Sequence, residues 1–233
     1  MTPILCYHKI GPVAAEGRFL NVEPERLRSH IQFFLRRRYQ IVMAKNVRDS
    51  WGARSVCLTF DDAYQSTLTF GLEVLESLSV KGSFYAVAGL MGKTSAWDVE
   101  RARPLATQAE LLAAHVSGHE IGSHSMSHPH LATLESDDQR RELSAAYIGL
   151  TELGFEQQSI CYPYGSYNSE TTSLAAELKY SIGLTLNRGV ATAHSDPLAL
   201  PRITVSCGDA IPLLLYKLYL RPKLPRRPKT VVQ

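Results

Sequence analysis

The sequence predicts a distorted (β/α) barrel of about seven parallel strands in a single domain. Three observations predict it. Short apolar runs alternate with amphipathic stretches of helical length along most of the 233 residues. Several of these runs stop abruptly at polar or charged residues. The alternation recurs often enough, within one domain's length, to close a sheet on itself rather than leave it open. Consecutive parallel strands need a crossover between them, and a helix is the usual one.

The elements follow in order. Ile4–Tyr7 reads as a strand. Pro24–Arg37 reads as a helix, because Pro24 suits a first turn and Leu27, Ile31, Phe34 and Leu35 share one face. Val56–Phe60 is a strand, and Thr67–Leu78 a helix with Leu68, Leu72, Leu75 and Leu78 spaced three or four apart. Gly82–Val87 is the next strand. Gln108–Val116 is a helix closed by Gly118, followed by the short strand His119–Ser123. Asp137–Leu153 is a helix, with Ser136 as N-cap and Gly154 past its end. Ser159–Tyr162 is a strand and Glu170–Leu178 a helix; Ser181–Leu184 and Ile203–Val205 are the last strands. The barrel is expected over residues 1–208, with 209–233 as a C-terminal helix and a basic, proline-rich tail.

Composition narrows the class. Apolar residues make up 45% and charged residues 20%, which is ordinary globular usage and excludes disorder, collagen and coiled coil. No apolar run has the roughly 20 residues that a spanning helix needs. The formal charge of +3 is too small to argue for nucleic acid. The N-terminus shows no basic segment followed by an apolar core. Cys6, Cys57, Cys161 and Cys207 form no Cys-x-x-Cys pair and lie in or beside apolar runs. They are expected as free thiols, and the protein as cytoplasmic.

Three strand ends carry chemistry. After Leu58-Thr59-Phe60 come Asp61 and Asp62. Adjacent strand residues point to opposite faces, so the two carboxylates are expected in different environments, one free to bind a metal while the other acts as a base. After His119–Ser123 come His124 and His128, four apart and on one face of a single turn, with Pro129 stopping any longer helix. Two imidazoles and a carboxylate make a three-ligand site with an open position. The third end is Cys161-Tyr162-Pro163-Tyr164-Gly165, a tight turn that could aim a backbone N–H at a substrate oxygen. Read alone, these are equally a helix-cap pair, a histidine-rich loop and a plain turn.

Taken together and in this order, they resemble the motifs of the polysaccharide deacetylase family, over about Ile4 to Val205. Thr59-Phe60-Asp61-Asp62 is similar to that family's first motif, His124-x-x-x-His128 to its second and Pro163-Tyr164-Gly165 to the core of its third. Cys6-Tyr7-His8-Lys9-Ile10 resembles the Tyr-His-x-Ile start of one branch. The resemblance implies an enzyme that removes acetyl groups from N-acetylated sugars. It implies Asp62, His124 and His128 as ligands of a divalent metal, zinc most often, with Co2+ or Ni2+ as alternatives. It implies Asp61 as general base and the Tyr164 N–H as oxyanion donor. The family's late histidine motif is not evident here, so His8 and His194 stand as alternative general acids. The third motif usually begins with Arg, where this chain has Cys161; Arg202 is a candidate to supply that guanidinium from a neighbouring strand. Ala63 stands where Gly is common.

Tyr64, Trp97, Tyr162 and Tyr167 are candidates to line a sugar site, together with Cys161, Pro163 and Arg202. Arg221, Lys223, Arg226, Arg227 and Lys229 follow the apolar stretch Ile211–Leu220, with no acid among them. An apolar segment beside a basic cluster suits an anionic membrane surface, and a lipid-linked glycan precursor at the inner leaflet would then be a sensible substrate. A last helix with a solvated tail is the plainer alternative. Other functions weighed are a C–N hydrolase on a small non-sugar amide and an inactive, glycan-binding barrel.

Overall fold

The protein is described from a computed structural model, which covers residues 1–98 and 101–221. The strands are β1 (Ile4–Tyr7), β2 (Lys9–Ile10), β3 (Asn21–Val22), β4 (Gln40–Val42), β5 (Ser55–Phe60), β6 (Ser83–Ala86), β7 (Glu120–Ser123), β8 (Ser159–Cys161), β9 (Ile182–Arg188) and β10 (Leu200–Thr204). The helices are α1 (Val13–Glu16), α2 (Pro24–Arg36), α3 (Leu72–Ser77), α4 (Gln108–Val116), α5 (Ser136–Glu152), α6 (Ser169–Glu177) and α7 (Ile211–Leu215). A wide π-type turn, Thr67–Gly71, leads into α3, and another, Tyr216–Leu220, continues α7.

Seven strands close the barrel. β5, β6, β7, β8, β9 and β10 follow one another, and β1 bridges β10 back to β5, every pair parallel. β4 takes the lower part of the β5 edge, opposite residues 55–57, whose upper part is taken by β6. It is thus a wedge at the N-terminal end of the barrel, not an eighth stave. β5 is buried along its whole length, as a strand covered on both faces must be. Tyr7, Phe60 and Phe84 stack in series, with centroids 5.4 and 4.8 Å apart. α2 buries Leu27, Ile31 and Phe34, which lie on the face that the sequence period marks.

Four features differ from the sequence reading. The β2–β3 pair and β4 were not expected, because two or three residues carry too little periodicity to register. β9 runs on to Arg188 through a polar end that hides the pattern, and β10 begins at Leu200, where Pro201 masks it. Glu135, not Ser136, is the N-cap of α5, and neither caps it with a side chain. Thr107 and Glu110 form a capping box at α4. Leu214 and Leu218 of the last helical stretch are buried in the main core, so this stretch packs on the barrel. The basic tail beyond Arg221 lies outside the described residues. No helix among those described is long and apolar enough to cross a membrane.

Candidate active site

The C-terminal ends of the strands open into a cavity of about 320 Å3. Asp61 and Asp62 enter it after β5, His124 and His128 after β7, Tyr164 after β8 and His8 after β1. The loop after β6 contributes Trp97, Asp98 and Arg101. Catalytic groups in parallel barrels gather at this end.

Asp62 Oδ1 lies 3.3 Å from His124 Nε2 and 3.1 Å from His128 Nε2. All three residues are buried. The backbone bends sharply to bring them together. Asp62, Ala63, Ser125, His128 and Tyr164 all have positive φ without being glycine. Strain of this kind costs about 1–3 kcal/mol per residue, and it collects where a site must be held in shape. The His124–His128 turn is pinned from outside, because Glu142 of α5 accepts hydrogen bonds from the Met126 and Ser127 N–H groups. The His128 ring is held between Trp97, stacked at 3.9 Å, and the edge of Tyr164 at 4.5 Å.

These three residues fit a cation. The Cys161 carbonyl can only accept, so at 2.7 Å it fixes the proton of His124 on Nδ1 and leaves Nε2 to face Asp62. Asp62 Oδ1 is buried without a properly oriented hydrogen-bond donor, despite its short distances to both rings. The three donor atoms lie within 4.8 Å of one another. One carboxylate and two imidazoles suit a borderline divalent ion. Burial alone would raise the Asp62 pKa, but the two histidines more than offset it and hold the carboxyl well below its usual range. His124 is shifted upward, since contact with Asp62 and the charge of Asp61 outweigh its burial; His128 is shifted downward by burial.

Asp61 is held differently. The Arg202 guanidinium grips both its oxygens, NH1 to Oδ1 and NH2 to Oδ2, each at 2.7 Å. The remaining guanidinium hydrogens go to the Thr185 carbonyl (2.9 Å), Thr59 Oγ1 (3.0 Å) and Cys161 Sγ (2.9 Å). The thiols of Cys6 and Cys161 point at Oδ2, at 3.4 and 3.3 Å. Oδ2 therefore carries three contacts and Oδ1 one, which leaves Oδ1 the freer acceptor. Burial pushes the Asp61 pKa up, but the Arg202 charge and hydrogen bonds win and hold it well below the usual carboxylate range. His8 also faces the cavity, with Nδ1 buried and without a hydrogen-bond partner. Burial lowers its pKa against the pull of Asp61 and Asp62.

The other expected site residues divide. Tyr64 and Trp97 line the cavity. His194 does not: the segment after β9 must return to the start of β10, and Ala191 pairs there with Thr2, at the opposite end of the barrel from the site. His194 is exposed at that end. Tyr162 is fully buried and donates its hydroxyl to the Leu198 carbonyl. Tyr167 stacks on Tyr162, outside the cavity. Pro163 is buried in the turn. Cys161 and Arg202 lie beneath Asp61 rather than against a substrate. Sequence reasoning missed Phe19, Leu20, Leu186 and Thr204 on the cavity wall. Only their place at strand ends or in the β2–β3 connection could have flagged them.

A parallel barrel that gathers a carboxylate, two imidazoles and a second, arginine-held carboxylate at its mouth is the framework of a hydrolase. The polysaccharide deacetylase family model matches residues 49–183. YxkH of Bacillus subtilis (strain 168), a polysaccharide deacetylase by name, is 27% identical over 214 residues, 88% of this chain and 72% of its own. The Streptococcus pyogenes deacetylase PplD, solved with acetate bound, superposes with a TM-score of 0.80 at 26% identity, over 93% of this chain and 97% of that one. IcaB from Ammonifex degensii shares the fold, at a TM-score of 0.79 and 18% identity, over 91% and 94% of the two chains. The chain belongs to the polysaccharide deacetylase family, and it is an N-deacetylase hydrolase acting on acetylated carbohydrate.

Proposed function

We propose that this protein removes the N-acetyl group from an amino sugar within a glycan or glycolipid precursor, releasing acetate and a free amine. The observation that carries the proposal is the meeting of Asp62, His124 and His128 at one point, beside Asp61 in the same cavity. Asp62, His124 and His128 would hold a divalent cation, zinc by preference and Co2+ or Ni2+ as substitutes. Such a cation supplies Lewis acidity to the acetamide oxygen and the attacking water.

Asp61 accepts the proton of the attacking water at Oδ1, and Arg202 keeps the carboxylate ionised and correctly turned. The backbone N–H of Tyr164, which sits in a left-handed turn beside the cavity, would serve as the oxyanion donor. His8 returns a proton to the nitrogen as the C–N bond breaks. Its lowered pKa makes the imidazolium a stronger acid than usual, which favours the transfer. The rings of Trp97 and Tyr64 suit the apolar faces of a hexose. We further propose a cytoplasmic setting, with the basic C-terminal tail against the inner face of a membrane.

The test is metal analysis together with acetate release from acetylated chitooligosaccharides. Wild-type protein should carry close to one divalent ion per chain and release acetate. His124→Ala should lose both properties, while Asp61→Asn keeps the ion and loses the activity. Failure of the wild type to release acetate from any acetylated sugar, with zinc, cobalt or nickel supplied, would leave an inactive binding barrel.

A further inference from the structure

A second cavity, about 340 Å3, opens beside the first, and Leu20, Leu186 and Thr204 border both. Its charge is one-sided. Arg188, Arg202, Lys217 and Arg221 line it, and no carboxylate does. Two of these cations are already committed. Arg202 is spent on Asp61. Lys217 Nζ lies 2.5 Å from Asp209 Oδ2, which is buried, and 3.0 Å from the Thr204 carbonyl. Arg188 and Arg221 have no acidic partner among the described residues.

Both guanidiniums are open to solvent at the cavity mouth, Arg188 exposed and Arg221 half-buried. Arg188 is the register partner of Arg202 on the neighbouring strand, which sets it on the wall of this recess. The two free guanidiniums flank a recess with a hydroxyl wall, Thr204 and Ser206. Planar forks of this kind bind phosphoryl oxygens two at a time, and a dianion balances two uncompensated charges.

We infer that this second cavity is a phosphoryl subsite, filled by the phosphate of a sugar-phosphate substrate while its acetamide lies in the first cavity. The inference rests on the deacetylase reading and deepens it. The shared wall of Leu20, Leu186 and Thr204 puts the anion next to the acetylated sugar rather than many units along a chain. The substrate class is then an N-acetylated amino sugar linked through phosphate or diphosphate, rather than a neutral oligosaccharide. Neither Arg188 nor Arg221 touches the reacting groups, so both act on binding alone.

The test compares acetate release from N-acetylglucosamine 1-phosphate and from the methyl glycoside of the same sugar. The proteins are the wild type and Arg188→Ala, Arg221→Ala and the double variant. Calorimetry with inorganic phosphate is run in parallel. Wild type should favour the phosphorylated substrate in kcat/KM, and each substitution should cut that preference by roughly tenfold. Turnover of the glycoside should stay unchanged, which also reports that the variants are folded. Phosphate held at the metal site would persist in the double variant; phosphate held in the second cavity would not. Equal kcat/KM for the two substrates in wild type, or phosphate binding undiminished in the double variant, overturns the inference. If wild type turns over neither substrate, acetate release from acetylated chitooligosaccharides decides the deacetylase reading separately, and the phosphate titration still decides the subsite.

Discussion

Replacing Arg202 with Met tests the centre of the site. Arg202 is fully buried, and all five of its N–H groups are used, two of them on Asp61 at 2.7 Å. Met fills much of the stem volume but leaves the Asp61 carboxylate buried with only two thiols beside it. Breaking a buried ion pair from one side costs about 3–5 kcal/mol, a large share of the 5–15 kcal/mol that holds a typical domain together. The pH dependence reverses as well. In wild type the depressed Asp61 pKa contributes stability that is present above the ordinary value of 3.8 and is lost as pH falls through the folded value. Without Arg202, burial dominates and the pKa rises, so the variant loses stability as pH increases from 3.8 upward. Urea unfolding of the wild type, Arg202→Met, Asp61→Asn and the double variant measures the coupling. The double variant should recover at least about 2 kcal/mol over the sum of the singles, because it removes the orphaned charge. The acid limb of kcat/KM should also move to higher pH in Arg202→Met. A single variant within about 1 kcal/mol of wild type, or a double variant with no recovery, would refute the view that the pair stabilises and ionises Asp61.

Three further outcomes are expected. His8→Gln should lower kcat by about 10²–10⁴-fold and His194→Ala should leave it unchanged, since only His8 faces the cavity; equal losses would return the general acid to open choice. His30 is buried between the Tyr7 hydroxyl (3.0 Å) and the Asp209 carbonyl (2.6 Å), and burial lowers its pKa below 6.5. Its contribution is therefore complete above pH 6.5 and lost as pH falls through the folded value, so the urea midpoint should drop between pH 7.5 and 5.5 and drop less in His30→Asn. Tyr162→Phe removes one buried hydroxyl bond to Leu198 and should cost about 1 kcal/mol at unchanged kcat; a fall in kcat would put Tyr162 back at the substrate.

What the sequence made legible follows from periodicity. α2 and α4 carry apolar residues at helical spacing, and their observed limits lie within a residue of those the pattern marks. β4 and the β2–β3 pair escape because two or three residues have no period to detect and, unlike the equally short β8 before Tyr162-Pro163-Tyr164-Gly165, no turn motif marks their ends. The candidate ligand cluster was legible because Asp62 lies just past the end of β5 and His124 just past the end of β7, with His128 four residues on, and a parallel barrel gathers strand ends at one face. The position of His194 was not legible. Its segment lies between two strands that both point toward the site, and only the pairing of Ala191 with Thr2 shows that the connection has already returned to the far end.

The substitution at Cys161 shows how such a site tolerates change. A guanidinium is placed by its tip, and a long side chain lets the tip reach one point from different strands. Arg202 reaches Asp61 from β10, while Cys161 approaches it from β8, with β9 between them. Arg202 is the largest fully buried side chain in the described protein. Interiors packed at crystal density do not hold a second arginine in the same space. A small residue at 161 is thus the counterpart of a large one at 202, and the Cys161 thiol becomes an acceptor for the guanidinium at 2.9 Å. In this chain the Asp61 carboxylate receives its bidentate partner from β10. We propose that Arg202 supplies the guanidinium that the resemblance expects at position 161, so that Cys161 is not by itself an argument that the barrel is inactive.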